Sequence, residues 1–252
     1  MTLSTPKNLG ILFVVVILVY ALLVFVYPLF WATLFSKTNA PDKIGTQLLN
    51  KNSDLTNPKT LKVAVIGDST AAGQGTDSVL QSFSYQYLQK INTSDLQIEY
   101  TNLAVSGSRI DQVLANQIPQ IDTSSQLIFV AIGANDVTAF FSETEFTAKL
   151  ELLAQKLKSI PAKVVWLSIP DFVTVPILLP PLNYFLSSTA KNFNAKIQEV
   201  ATQNSFIYVD VFDSTRDEFR NHPDQTFSKD KYHPSSYGYS LWVQQIAKTY
   251  KF

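Results

Sequence analysis

Lys62-Val63-Ala64-Val65-Ile66-Gly67-Asp68-Ser69-Thr70 is a short apolar run that stops at a glycine and passes straight into three polar residues. A continuous β-branched run of this length, bounded by turn residues, predicts a strand covered on both faces. The same kind of run recurs at 97–103, 127–133, 163–169 and 206–211, beside 62–67 itself. Between these runs lie helical patterns at 80–91, 110–117, 143–159 and 186–203, with a last one at 236–250. Regular strand-helix alternation predicts an α/β domain, a parallel sheet of about five strands with helices on both faces. Such sheets bind ligands beyond the carboxyl ends of their strands, so the chemistry is expected just after the apolar runs.

Polar residues do stand there. The first run ends in Gly67-Asp68-Ser69-Thr70, the second continues into Val105-Ser106-Gly107-Ser108, and the third ends in Gly133-Ala134-Asn135-Asp136. The last loop before the final helical pattern is Asp230-Lys231-Tyr232-His233-Pro234. One segment breaks the rhythm: 170–185 is apolar and carries Pro176, Pro180 and Pro181. Prolines at that density predict a loop or a short helical flap.

Working outward, the domain is expected to span 61–252, with 37–60 as a polar linker containing Pro41 and Pro58. Residues 1–8 form a short tail, and 9–36 are apolar, with no charged residue between Lys7 and Lys37. That length matches the roughly 20 residues a transmembrane helix needs. Tyr27, Phe30 and Trp31 at its far end suit a membrane interface. Residues 9–36 are therefore expected to be a single-pass anchor, with the 61–252 domain outside the cytoplasm. A cleaved signal peptide is the rival reading, through Thr38-Asn39-Ala40. Its apolar core would be unusually long and its basic start limited to Lys7.

Composition excludes several classes. Among 252 residues there are 20 acidic and 20 basic side chains, and no basic run, so no nucleic-acid partner is expected. Cysteine is absent, which removes disulfides, thiolate metal sites and cysteine nucleophiles. With only His222 and His233, no His-rich metal site is available, and no metal or organic cofactor is implied. There is no G-x-S-x-G elbow and no phosphate loop, and Gly73-Gln74-Gly75-Thr76-Asp77-Ser78 departs from the dinucleotide pattern at its last position.

Acyl transfer needs a nucleophile, a base, a group that orients the base, and donors for an oxyanion. Ser69 is the candidate nucleophile. His233 is the better base of the two histidines because Asp230 precedes it by three residues, close enough on a tight loop to fix its tautomer. Each block alone has a plainer reading: Gly-Asp-Ser as a helix cap, Asn135 as a turn residue, Asn102 and Asp136 as loop braces, Arg109 and His222 as surface residues.

Together the four blocks resemble the SGNH hydrolases, the GDSL-type esterases and lipases. Gly67-Asp68-Ser69 is similar to the family's nucleophile block, although Thr70 stands where leucine is common. Residues 102–107 resemble its glycine block, Gly133-Ala134-Asn135-Asp136 its G-x-N-D block, and Asp230 to His233 its D-x-x-H block. The resemblance implies a three-layer αβα, flavodoxin-like fold. It also implies an oxyanion hole from the Ser69 and Gly107 backbone N–H groups and the Asn135 side-chain amide. The implied substrate is an ester, whether lipid, glycan ester or small acyl ester, cleaved through an acyl-Ser69 intermediate. An acyltransferase on the same site and a non-catalytic, membrane-anchored binding module are the alternatives.

Overall fold

The computed structural model describes residues 6–26, 46–49, 59–93 and 96–252. In chain order the strands are β1 (Gln47–Leu49), β2 (Lys59–Gly67), β3 (Leu96–Asn102), β4 (Leu127–Ala131), β5 (Lys163–Leu167) and β6 (Ile207–Val209). They form one sheet in the order β1-β3-β2-β4-β5-β6. The five strands from β2 to β6 are parallel, and β1 runs antiparallel to β3. Without β1, the order is that of the flavodoxin-like doubly wound sheets. The sheet is thus mixed and six-stranded, where a parallel sheet of about five was expected. The extra strand is three residues long and lies inside the stretch expected as linker, too short to show a period.

The helices are α1 (Pro6–Ala21), α2 (Ser69–Ala72), α3 (Phe83–Ile91), α4 (Ile110–Gln112), α5 (Ala134–Thr138), α6 (Glu143–Lys158), α7 (Leu182–Gln203), α8 (Arg216–Asn221), α9 (Pro223–Thr226) and α10 (Ser236–Thr249). Helix α3 packs with α10, and α6 with α7, completing three layers. Phe129 of β4 meets the edges of Phe83 and Tyr87 from α3. Phe146 of α6 stacks on Phe193 of α7, with ring centroids 4.0 Å apart. The central strands β2, β4 and β5 are buried along most of their length, which explains their lack of polar alternation, whereas β3 alternates from Leu96 to Tyr100. Helix α4 continues as a π-helical turn, Val113–Gln117, a rare form that recurs at functional sites.

At the N-terminus α1 is 16 residues long and passes into a π-helical segment, Leu22–Val26. Sixteen residues rise about 24 Å, short of a hydrocarbon core of about 30 Å. Among the described residues, no helix is long and apolar enough to cross a membrane. The continuous transmembrane helix expected over 9–36 is therefore not found, because the α-helical ladder ends at Ala21. Residues 27–36 of that expectation, like 37–45 and 50–58 of the expected linker, lie outside the described residues.

Candidate active site

The sheet reverses direction at β2, whose two neighbours lead to opposite ends of the sheet, and this opens a crevice at its carboxyl end. Gly67 ends β2 at φ 142°, where a Cβ would sit 1.8 Å from the Ala131 carbonyl oxygen. Only glycine lets β2 and β4 close this tightly. Asp68 then caps α2: its Oδ1 accepts from the Thr70 N–H at 2.9 Å and from the Thr70 hydroxyl at 2.8 Å. Burial pushes the Asp68 carboxyl above its usual range, against the pull of the Thr70 donors and of His233. The threonine that replaces the family's usual leucine thus braces the turn. Ser69 opens α2, largely buried and facing the crevice.

The loop before α10 brings the base across. Asp230 Oδ1 accepts from the backbone N–H groups of Tyr232 (2.8 Å) and His233 (2.9 Å) and from the Ser228 hydroxyl (2.7 Å). Its Oδ2 lies 2.7 Å from His233 Nδ1, and His233 Nε2 lies 3.0 Å from Ser69 Oγ. With Nδ1 as the donor to Asp230, Nε2 is left to accept from the serine. Burial alone would raise the Asp230 carboxyl, but the His233 hydrogen bond and charge, with the other donors, hold it at about 2. Both Asp230 and His233 are buried, so the pair is shielded from solvent screening.

The third wall consists of two loops tied together. Asn135 Nδ2 donates to the Ser108 carbonyl at 3.0 Å, and both Asp136 carboxylate oxygens accept from the Ile110 N–H at 3.2 Å. The Asn135 amide has two N–H bonds, so one orients it and one remains for a ligand. Among the described residues, no hydrogen bond engages the Ser69 or Gly107 backbone N–H. Gly107 sits at φ 82° with open space beside it. Burial pushes the Asp136 carboxyl up to about 7; the Ile110 N–H opposes this, and the charges of Asp68 and Asp111 add to it.

Beyond Ser69 the crevice continues into a cleft whose walls include Phe172, Val175, Phe212, Phe219, Phe227 and Trp242. One ion pair lies in its wall: the half-buried Arg216 donates through Nε to the buried Asp171 Oδ2 at 2.5 Å, while Nη1 reaches the exposed Asp213 at 2.8 Å. The Ser187 hydroxyl also donates to Asp171, and the guanidinium lies 4.8 Å from the Phe212 ring centroid. The proline-rich segment divides its duties. Thr174 and Val175 line the cleft, Leu178 is core, and Leu179, Tyr184 and Phe185 are exposed.

The structure thus brings Ser69, Asp230, His233 and Asn135 to one crevice, with Gly107 on the adjoining loop. Asn102 stays out of it: its amide donates to the Ala71 carbonyl and its oxygen accepts from the Ala104 N–H. Arg109 stands beside the Phe141 ring, and His222 is on the surface. Sequence reasoning missed Gln117, buried between the loops, and the aromatic walls, whose residues come from five separate segments. Nothing in a lone glutamine or phenylalanine distinguishes such a place from ordinary core.

The profile of the GDSL-like Lipase/Acylhydrolase family matches residues 65–241. Several solved structures are similar in fold. An extracellular lipase from Streptomyces rimosus is 16% identical with a TM-score of 0.52, covering 75% of this chain and 100% of its own. Phospholipase A1 from Streptomyces albidoflavus NA297 is 18% identical with a TM-score of 0.56, over 76% of this chain and 100% of its own. The acetylxylan esterase Axe2 from Geobacillus stearothermophilus is 18% identical with a TM-score of 0.55, over 79% of this chain and 97% of its own. At such identities these likenesses speak for the fold. No curated protein matches the sequence significantly.

Proposed function

The chain belongs to the GDSL-like lipase/acylhydrolase family and is an ester-cleaving hydrolase, and from that premise we propose that it acts through an acyl-Ser69 intermediate. The observation that carries this reading is the unbroken hydrogen-bond line from Ser69 Oγ through His233 to Asp230. As Ser69 Oγ attacks the ester carbonyl carbon, His233 Nε2 takes its proton, and Asp230 stabilises the imidazolium. The developing oxyanion is received by the Ser69 and Gly107 N–H groups and the free N–H of Asn135, each worth roughly 10²–10³ in rate. Collapse breaks the bond to the alcohol, which leaves with the proton from His233. Water then attacks the acyl-enzyme by the same route and releases the acid. Family membership sets aside the non-catalytic binding module.

The apolar walls of the cleft support an acyl chain longer than acetyl as the bound portion. The test is a chain-length series of nitrophenyl esters together with a fluorophosphonate probe. The proposal expects Ser69→Ala to abolish labelling and turnover, and kcat/KM to rise from acetate to octanoate. Labelling that survives in Ser69→Ala would refute the nucleophile, and a preference for acetate would refute the acyl cleft.

We also propose that the N-terminal segment associates with a membrane and that the domain lies outside the cytoplasm. Leu9 to Leu23 is apolar, apart from Gly10 and Tyr20, and largely exposed, a surface that lipid would cover better than water. The Tyr20 hydroxyl donates to the Pro180 carbonyl at 2.7 Å, next to exposed Leu179. Recovery of the full chain in the soluble fraction after lysis without carbonate or detergent would overturn the association. A C-terminal reporter active only in the cytoplasm would overturn the orientation.

A further inference from the structure

Gly67 ends β2 two residues beyond the last residue that β3 pairs: the β2–β3 register stops at Val65 and Asn102. On that side its carbonyl still accepts from the Val105 N–H at 3.2 Å, but its N–H has no backbone partner, in a place where water is excluded. A side chain completes the pairing. Gln117 Oε1 accepts from the Gly67 N–H at 2.8 Å, and Gln117 Nε2 donates to the Gly67 carbonyl at 2.9 Å. A side-chain amide carries the same donor and acceptor as a peptide, so Gln117 supplies the acceptor the strand lacks and a second donor to the carbonyl that Val105 already engages. It is almost fully buried and lies at the end of the π-helical turn.

The same amide reaches further. Its second N–H points at the Ser108 hydroxyl, 3.3 Å away. Ser108 follows Gly107, and its carbonyl holds Asn135. One side chain thus touches the backbone two residues before Ser69 and the loop that carries Gly107 and holds Asn135.

We propose that Gln117 is a positioning residue for acyl transfer, fixing the spacing between Ser69 and the oxyanion donors; this rests on the Ser69 reading above. It touches no substrate, so its removal acts on the transition state and leaves ground-state binding alone. A misplacement of about 1 Å at such a site costs on the order of 10²-fold in rate.

The experiment measures kcat, KM and the inhibition constant of a trifluoromethyl ketone, which forms a tetrahedral adduct with a serine nucleophile. Wild type is compared with Gln117→Leu, Gln117→Glu and Leu157→Ala. Leu157 is buried at the far end of α6 and reports stability loss alone. Gln117→Leu is expected to lower kcat about 30–100-fold with KM within twofold, and to weaken the ketone in proportion. Leu157→Ala lowers Tm and leaves kcat in place. Gln117→Glu is nearly isosteric and covers the case in which the leucine variant does not fold. Its protonated form keeps a donor and an acceptor and its carboxylate only acceptors, so its kcat relative to wild type should fall from pH 6 to pH 8. A Gln117→Leu kcat within threefold of wild type, or a flat ratio near one for Gln117→Glu, overturns the proposal. A wild type with no Ser69-dependent turnover would instead overturn the reading beneath it.

Discussion

Two strand ends in this sheet are finished in the same way, and they serve opposite sides of the crevice. At β2, Gln117 grips both peptide groups of Gly67. Beyond β5, Asn194 of α7 grips both groups of Ile169, its Oδ1 accepting at 2.7 Å and its Nδ2 donating at 2.9 Å. The first grip leads into Asp68, Ser69 and the loop with Gly107. The second leads into Pro170, Asp171 and the apolar wall of the cleft. The reacting side is thus held by directional hydrogen bonds at nearly every turn. The binding side is held by packing, with the Asp171–Arg216 pair as its main polar tie. Geometry within a few tenths of an ångström matters on the first side, whereas shape and volume matter on the second.

Breaking the reacting side should therefore lower kcat, and breaking the binding side should change KM and chain-length preference. The largest effect is expected from Asp230→Asn. Loss of the carboxylate mis-sets the His233 tautomer, and kcat should fall about 10³–10⁴-fold, as measured on nitrophenyl octanoate. The same variant changes acid stability. A carboxyl held at about 2 contributes stability above pH 4 that is lost as pH falls through 2. Asp230→Asn should remove that part of the acid transition, seen by circular dichroism. An unchanged kcat would break the comparison at its centre.

Asn194→Leu should do the reverse. It leaves the Ile169 N–H and carbonyl buried without partners, lowering stability by about 2–4 kcal/mol in urea titration. KM for octanoate should rise severalfold while kcat changes less than threefold. A fall in kcat to match Gln117→Leu would mean that the two grips are equivalent. Arg216→Met comes next. It leaves the buried Asp171 without its cation, so stability should drop by about 1–3 kcal/mol, and selectivity among acyl lengths should narrow as the wall loosens.

The smallest effect separates the sides by pH. Asp136, raised to about 7, is protonated in the folded state over a range where the unfolded chain is ionised. Its stabilising share is full below pH 4 and is lost as pH rises through 7. Asp136→Asn keeps an acceptor for the Ile110 N–H and removes the charge. Its stability relative to wild type, read by urea titration, should increase from pH 5 to pH 8, by an amount on the order of 1–2 kcal/mol at pH 8.

These two sides were not equally legible beforehand. The parallel strands announced themselves because burial on both faces forces an unbroken apolar run, and the polar blocks at their ends followed from where such sheets bind ligands. Ser69, Asn135, Asp230 and His233 carry rare chemistry in short local patterns, so they could be singled out one by one. The grips of Gln117 and Asn194 could not. Each is a common amide in a helical stretch, and its partner lies 50 or 25 residues away. The cleft wall was hidden for a related reason, since Phe172, Phe219 and Trp242 look like core until the fold leaves space between them. Strand β1 and the π-helical ends of two helices depend on hydrogen-bond partners, which no residue pattern encodes.

Strand β1 has a practical consequence. It covers Ile98, Glu99 and Tyr100 of β3, and at the other edge β6 is only three residues long. The sheet therefore offers little open ladder to another molecule. A chain trimmed to begin at Leu61 would bare the seven-residue β3 to solvent, a template for a neighbour's strand. Such a shortened protein should associate with itself in solution even though every reacting group is present. A version kept soluble for crystallisation needs to retain residues 46–49.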